Sequence, residues 1–532
     1  MISGSRLAAK RSTLITIFLV FLLVLALLSW NFAGLGFSQA ALAKGNEGGT
    51  DLKLKAGRHN GLVVIAPSLV ETFKVPPQTI TIPIFIAAEG WKGHVKHIKV
   101  DYQGPKGVIS KTVPVDKAVD SVGMDFDHVM KTLQGRDYGA VKYLLKKGVY
   151  TEIEVDVSSL ALEAGSLGKM TVGVEGTVDG RKAQVVVEAD YQALALPGAS
   201  GWYGGDGHVH TSWSPDVWFI SLDSRVKYAK DNGFGFIIIT DHEDGINDLW
   251  STSNGYVAQC NAAQSKYLIP ALPGVEISTA ESKGHALAYW MSETATNVPN
   301  NETYLPQELI NRINAHNYPY SYAVIAHPYG AHPWTDWNVT GFRAMELLCQ
   351  ETVAKADTIS RWFTILRSGL SSTLSSGRFV VGVGNSDCHN FQAPGFKGFT
   401  WVYVTSYSAT DRTAIWDAIR SGRVSASGLK DLGYFTVNSS IQGSVIRVSP
   451  GQSLKFTMVQ KPITGRKCTR ITVFNKDQVV VYSVTNPTSS EVYWTTVAPS
   501  ADTFYVVKFE FTNTDGSNPS EVWANPVFVD VT

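Results

Sequence analysis

From Leu62 to about Leu196, apolar and polar residues alternate in short runs. Thr79–Ile86, His97–Tyr102, Tyr150–Val157 and Ala183–Ala189 each place apolar side chains at about every second position, the period of a half-buried strand. The pattern predicts a β-sandwich, with a helix around Asp125–Leu133 as an insertion. Pro197-Gly198-Ala199-Ser200-Gly201 reads as a linker. Beyond it the pattern changes. Phe234–Ile239, Tyr322–Ala326, Arg378–Val383 and Phe399–Val404 are nearly continuous apolar runs, and helical stretches lie between them. One helix is expected over Asp223–Asn232, stopped by Gly233, and another after Pro306, carrying Leu309, Ile310 and Ile313. A third is expected over Asp411–Ser421, with Thr410 as its cap and Gly422 as its terminator. Buried strands alternating with helices predict a parallel sheet covered by helices. The last hundred residues are strand-like only: Ile471–Phe474, Val479–Val484, Phe504–Phe511 and Val527–Val531, with a turn at Asn513–Gly516. They predict a second, C-terminal β-sandwich.

The chain therefore divides into an N-terminal segment (1–43), a β-rich region (44–198), a mixed α/β region (199–430) and a terminal sandwich (431–532). A length of 532 residues suits about three domains. In the first segment Arg6, Lys10 and Arg11 precede an apolar run from Leu14 to Leu28, and small residues follow at Ser38-Gln39-Ala40 and Ala41-Leu42-Ala43. This is the pattern of an export signal cut after Ala40 or Ala43. The alternative is an uncleaved membrane anchor over residues 14–37. Either reading places the bulk of the chain outside the cytoplasm, as a secreted or surface-anchored protein. The membrane would be a partner only through the uncleaved segment.

Lys+Arg and Asp+Glu both number 46, so bulk charge does not favour a nucleic-acid partner. With 44% hydrophobic and 17% charged residues the chain is globular rather than disordered. Four cysteines, Cys260, Cys349, Cys388 and Cys468, exclude a disulfide-dense scaffold but allow two disulfides.

The candidate chemistry sits at the ends of the apolar runs. Asp206-Gly207-His208-Val209-His210 places both imidazoles on one face of an extended segment. Phe236–Ile239 runs into Asp241-His242, Ala271–Val275 into Glu276, and Ala323–Ala326 into His327. His285 opens an apolar run. Val380–Val383 leads to Asp387-Cys388-His389, a second same-face pair with Cys388 turned away. One strand-end histidine is more often a hydrogen-bonded structural residue. Several at once, all where strand ends carry active sites in parallel α/β folds, point to a multinuclear metal site. Burying that many titratable groups without a counter-charge is costly. Histidine and carboxylate donors without thiolates suit Zn, Mn or Fe.

Taken in order, Asp206-x-His208-x-His210-Thr211, Thr240-Asp241-His242, Gly274-x-Glu276, Gly284-His285, Ala326-His327-Pro328 and Ser386-Asp387-x-His389 resemble the PHP metal-dependent hydrolases over residues 202 to about 427. Ile415–Val424 is similar to the closing helix of that family, and the export signal with a C-terminal sandwich resembles its carbaryl-hydrolase-like branch. The resemblance implies a distorted (β/α)7 barrel holding two or three divalent metal ions. By it, His208, His210, Glu276 and Asp387 hold one ion, and Glu276 bridges to a second held by His285 and His327. His242 and His389 serve a third, which Asp216 joins. Glu276, Asp387, His327 and Asp241 are the expected catalytic groups, Asp241 and Asp206 by orienting ligands. Glu346 is expected as cavity lining or support; His316 and His332 have no motif behind them.

The implied reaction is hydrolysis by a metal-bound hydroxide, without a covalent nucleophile. Neither a Gly-x-Ser-x-Gly elbow nor a P-loop is present in the sequence. The substrate would be a small-molecule or polymer-linked ester: a phosphoester, or a carboxylic ester, amide or carbamate. The second class of function is a surface-binding protein whose metal-loaded barrel is structural and whose β-domains bind the ligand. Arg343 is the nearest basic candidate for a phosphate contact.

Overall fold

The computed structural model describes residues 54–89, 92–120, 147–217, 220–246, 249–291, 298–316, 322–330, 332–350, 355–389 and 392–532. The export segment, its anchor alternative and the helix expected at 125–133 lie outside the described residues. No helix among the described residues is long and apolar enough to cross a membrane. The architecture is mostly β, in five sheets with few helices among the described residues.

Alternation builds the first part. In Thr79–Ala88, Ile80, Ile82, Ile84 and Ile86 are buried, while Thr79, Thr81 and Pro83 are half-buried. This strand pairs antiparallel with Leu62–Pro67 and Val149–Asp156 in a four-stranded sheet. A five-stranded sheet holds Leu69–Thr72, Arg181–Ala193, Leu167–Val178, Lys92–Gly104 and Gly107–Asp120, in that order. Ile82 and Ile84 of the first sheet share a core with Val100, Val172 and Val187 of the second. That is the face-to-face burial of a sandwich.

The site-bearing strands come next. β1 (Trp202–Asp206), β2 (Phe236–Ile239) and β3 (Ala271–Pro273) are parallel neighbours. After Gly274 the chain joins a different sheet: β4 (Val275–Ser278), β5 (His285–Tyr289), β6 (Tyr322–Ile325), β7 (Ala344–Leu348) and β8 (Val381–Gly384). β6, β7 and β8 are parallel, but β5 is antiparallel to both β4 and β6. β9 (Phe399–Tyr403) and β10 (Val424–Ser427) extend the first sheet, each antiparallel to the strand before it. The expected all-parallel sheet is therefore corrected to two mixed sheets. The link from β4 to β5, residues 279–284, is far too short for a parallel crossover. A closed (β/α)7 barrel is not evident in these pairings. Two isolated parallel bridges, Val209 to Cys388 and His242 to Glu276, tie the two sheets together just past the strand ends.

β10 also pairs with Ser520–Val531, so the first sheet continues across residue 430 to ten strands. A four-stranded sheet including Leu432–Val437 and Ser453–Lys461 faces this extension, with Phe435, Phe456, Ile471, Val507 and Val529 in the shared core.

The helices Leu222–Asp231, Pro306–Ala315 and Arg412–Arg420 form where turn chemistry predicts them, with the N-cap of the third shifted by one residue. Ser221 caps the first by accepting from the Ser224 N–H at 3.1 Å. Asp411, not Thr410, caps the third, accepting from the Thr413 and Ala414 N–H groups at 2.8 and 3.4 Å. Its backbone is extended (φ −94°, ψ 96°), which is the cap position, one residue later than the sequence suggested. All four cysteines are buried and none is disulfide-bonded, so neither allowed disulfide forms.

Candidate metal centre

Backbone alternation delivers the first pair of ligands. β1 ends at Asp206 and the chain runs on extended, with Val209 buried and bridged to Cys388. His208 and His210 therefore emerge on the opposite face, their Nε2 atoms 3.1 Å apart. Glu276, the second residue of β4, is 1% exposed and divides its carboxylate between two sets of imidazoles. Its Oε2 lies 3.1 Å from both His208 and His210 Nε2. Its Oε1 lies 2.8 Å from His285 Nδ1 and 3.1 Å from His327 Nε2. Asp387 Oδ1 closes the first group, 3.1 Å from His210 Nε2 and 3.4 Å from His208 Nε2. In a third group Asp216 Oδ2 lies 2.9 Å from His389 Nε2 and 3.4 Å from His242 Nε2.

The structure thus assembles three donor groups: His208, His210, Glu276 and Asp387; Glu276, His285 and His327; and His210, Asp216, His242 and His389. Within each, the ligand atoms lie within 4.8 Å of one another. Glu276 is shared by the first two and His210 by the first and third. His327 and Asp387 have positive φ, 24° and 53°, a strained region for side-chain-bearing residues. The surrounding packing holds both carboxylate and imidazole in place against that cost.

The hydrogen-bond network tests whether this donor set fits a cation. His208 Nδ1 lies 3.0 Å from Glu346 Oε1, so Nδ1 carries the proton and the neutral ring's Nε2 carries a lone pair. Ser214 Oγ donates to Asp241 Oδ1 at 2.8 Å, and so accepts from His210 Nδ1 at 2.9 Å. That leaves His210 Nε2 with a lone pair as well. His389 Nδ1 faces the Asp387 carbonyl at 3.0 Å, which aims its Nε2 lone pair at Asp216. With both rings neutral, the lone pairs of two imidazoles and two carboxylates converge on one point, which a cation in place of protons would satisfy. This is the donor arrangement of a divalent-cation site, and the residues present fit one.

Electrostatics agree. Burial opposes charge on His208, yet Glu276, Asp387 and Glu346 hold its pKa well above the ordinary value. Burial likewise opposes charge on His242, and Glu276 and Asp216 push it up to about 9. Burial would raise Glu276, but His208, His242 and His285 hold it well below the usual carboxylate range. For Asp216, burial is overcome by His389 and His242, which bring its pKa well down. The carboxylates demand positive charge, which protons or a cation can supply.

Asp241 does not reach the ligand groups. It is fully buried behind His210, accepting from the Thr211 hydroxyl at 2.7 Å and the Ser214 hydroxyl at 2.8 Å. It orients Ser214, which orients His210. Asp206 is similar, accepting from the N–H groups of His208, Ser386 and Gly395 at 3.1, 3.0 and 2.6 Å. Glu346 accepts from His208, from the His327 N–H at 2.7 Å and from Asn385 Nδ2 at 2.8 Å. Sequence reasoning missed Ser214 and Asn385; hydroxyl and amide side chains near strand ends are too common to stand out.

One face of the donor groups opens into a cavity of about 470 Å³, whose walls include Asp216, His242, Glu276, His285, His327, Asp387 and His389. His332 joins the wall without motif support, stacked on His285 with ring centroids 4.9 Å apart. Arg343 and His316 are not among the described wall residues. Cys388 packs in the hydrophobic core instead.

No family model and no curated protein matches the chain. Among solved structures, a two-domain Bacteroides vulgatus protein containing a predicted PHP-like metal-dependent phosphoesterase is similar at 14% identity. The match covers 63% of this chain and 98% of that one, with a TM-score of 0.33. A Parabacteroides merdae β-glucuronidase is similar at 7% identity over 91% of this chain and 65% of its own, with a TM-score of 0.17. A Bacteroides uniformis β-glucuronidase is similar at 9% identity over 89% and 61%, with a TM-score of 0.15. TM-scores this low carry no weight for function.

Proposed function

We propose that the protein is an exported metal-dependent hydrolase acting on a phosphoester, with a di- or trinuclear centre of Zn, Mn or Fe. The observation that carries this reading is the sharing of Glu276 and His210 among three donor groups on the wall of one open cavity. Sharing of this kind would place bound cations next to one another, the arrangement two-metal sites use on a phosphoryl group. Bound ions would supply Lewis acidity and lower the pKa of a water. The chain's own residues do the rest. Glu276, with one oxygen toward His208 and His210 and the other toward His285 and His327, would hold ions in both groups and offset the repulsion between them. Asp387 adds a second anionic donor, and His285 and His327 hold the far side of Glu276. Asp241 acts through Ser214, and Glu346 acts directly, to fix which nitrogen each histidine offers.

The reading extends to the architecture. We read β1, β2, β3 with β4, and then β5 to β8 as seven members of one interrupted ring, a reading supported by the isolated Val209–Cys388 and His242–Glu276 bridges between the two sheets. We read this as the distorted barrel of a PHP-type, carbaryl-hydrolase-like protein over residues 199–430, between β-domains at 44–198 and 431–532. Residues 1–43 would direct export. The substrate would be a small-molecule or polymer-linked ester.

The test is a substrate screen after metal reconstitution, with 4-nitrophenyl phosphate against 4-nitrophenyl acetate and an aryl carbamate. Metal-dependent turnover of the phosphate supports the proposal. Turnover of the acetate or carbamate alone moves the reaction to acyl transfer. Stoichiometric metal with no turnover of any ester leaves a structural centre in a binding protein.

A further inference from the structure

The outer wall of the cavity differs from its metal-ligand wall. Beyond the ligands it carries Ser278, Ser282, Asn301, Asp244, Glu302 and His332. No lysine or arginine is among the described wall residues. None of the undescribed positions between 199 and 430 is a lysine or arginine either. Lys283 is adjacent to Ser282 in the chain, but its ammonium pairs with Glu281 at 2.7 Å. Among the described residues this wall has hydroxyls, an amide, two carboxylates and one imidazole, and no ammonium or guanidinium to neutralise a second anion.

His332 is the residue on this wall best placed to touch a ligand. Its ring lies nearly parallel to that of His285, at 16°, and is otherwise exposed. The loop that carries it is firmly held. Trp334 is 2% exposed, its N–H bonds the Pro328 carbonyl at 2.9 Å, and the Thr335 N–H bonds the Lys283 carbonyl at 3.1 Å. Gly284 (φ 115°) lets this loop approach closely; a Cβ there would meet the Trp334 Cα at 2.8 Å. An exposed imidazole stacked on one ligand and lining the cavity is placed to hydrogen-bond what extends from the ligand groups.

We infer that His332 contacts the leaving group of the substrate, and that this group is a neutral, hydroxyl-bearing alcohol rather than a second anion. The inference rests on the phosphoester reading above, but its test need not. Phosphonates keep the anionic head and carry a P–C bond that hydrolysis of an ester does not touch. Calorimetric titration of the zinc-loaded protein would use methylphosphonate, 3,4-dihydroxybutylphosphonate and 2-carboxyethylphosphonate at one fixed pH. The dihydroxybutyl compound should bind about 10-fold tighter than methylphosphonate, the worth of one or two net hydrogen bonds. The carboxyethyl compound should bind more weakly than either.

His332→Phe keeps a ring on His285 and removes the hydrogen-bonding nitrogens. It should erase the 10-fold preference while metal content and methylphosphonate affinity stay unchanged. His332→Gln, which keeps a donor and acceptor without the ring, should retain part of the preference and serves if the phenylalanine variant fails to fold. Glu302→Gln should bring the carboxyethyl compound about 3-fold closer to methylphosphonate, as expected for one exposed charge. Equal affinities in the unmodified protein, a preference that survives in His332→Phe, or no phosphonate binding would each overturn the inference. Phosphonate preference without cleavage of any ester would leave the His332 contact to a hydroxyl-bearing ligand standing and overturn the hydrolase reading, and with it the naming of that group as a leaving group. Ester cleavage without the preference would do the reverse.

Discussion

In Arg181–Ala193 the buried positions are Ala183, Val185, Val187, Ala189, Tyr191 and Ala193, and Gln184, Val186, Glu188 and Asp190 between them face out. In β4, Val275, Glu276 and Ile277 are all buried, and one of them is a carboxylate. The first strand has a core side made only of hydrocarbon and phenol, so its burial is favourable at about 25 cal/mol per Å² of apolar surface. The second sits among buried Asp206, His208, His210, Asp241 and Glu346, each of which costs free energy to desolvate. Those groups persist because they are arranged in complementary pairs, and because the apolar strands around them supply the stability that they do not. Stability and chemistry are therefore held by different side chains, and substitutions in the two regions should fail in different ways.

The largest separation is expected at Glu276. Glu276→Gln keeps the shape of the side chain but removes its charge and one acceptor oxygen. Metal occupancy should fall and hydrolysis should drop by more than about 10³-fold, roughly 4 kcal/mol of transition-state stabilisation. Circular dichroism should stay native. Full metal and full activity in this variant would redraw the ligand map.

The converse variant is Ile84→Ala, in the N-terminal four-stranded sheet and fully buried in the core it shares with the five-stranded sheet. Truncating it should cost about 2–5 kcal/mol of unfolding free energy, from lost transfer energy and the cavity left behind. Denaturant titration reads that loss. Metal content and activity of the folded protein should not change. If they do, the two regions are coupled and the division of labour fails.

Glu346→Gln sharpens the comparison from inside the site. Glu346 touches no ligand group except His208, through Nδ1, and the backbone of His327. A glutamine can hold either contact but no longer favours the Nδ1–H tautomer as strongly. Losing such an outer carboxylate typically costs 10–100-fold in metal affinity. Competition with a chelator should show a loss in that range, smaller than the effect at Glu276.

These two regions were also unequally legible in sequence. The N-terminal strands announced themselves, because a sheet buried on one face leaves an alternating pattern. Strands buried on both faces read as apolar runs whatever their direction, so the antiparallel placement of β5, β9 and β10 left no local trace. The pairing of β10 with Ser520–Val531 joins positions some hundred residues apart, and no local period encodes it. Histidines and acids at run ends stood out because such residues seldom follow buried strands in clusters. The residues behind them did not. Ser214 and Asn385 matter through the atoms that they orient, and that depends on proximity in space.

The smallest predicted effect tests the most local reading. The sequence around 410–411 offers two capping residues in a row, and spacing alone favoured the threonine. In the structure the Asp411 carboxylate accepts from two N–H groups of the first turn of Arg412–Arg420, while the Thr410 hydroxyl faces Ser408 Oγ at 3.4 Å. The helix buries Ile415, Trp416 and Ile419 against the site-bearing sheets, so it docks mainly through that apolar face. Removing its cap should therefore weaken the helix without detaching it. Asp411→Ala should lower stability by about 1 kcal/mol, with metal content unchanged, since it leaves two first-turn N–H groups without their acceptor. Thr410→Ala should change stability by less than about 0.5 kcal/mol, as an exposed residue outside the helix does. Denaturant midpoints of the two variants, at unchanged m-value, decide between the residues. An equal loss in both would mean that the first turn is capped jointly, through the Ser408–Thr410 contact that precedes it.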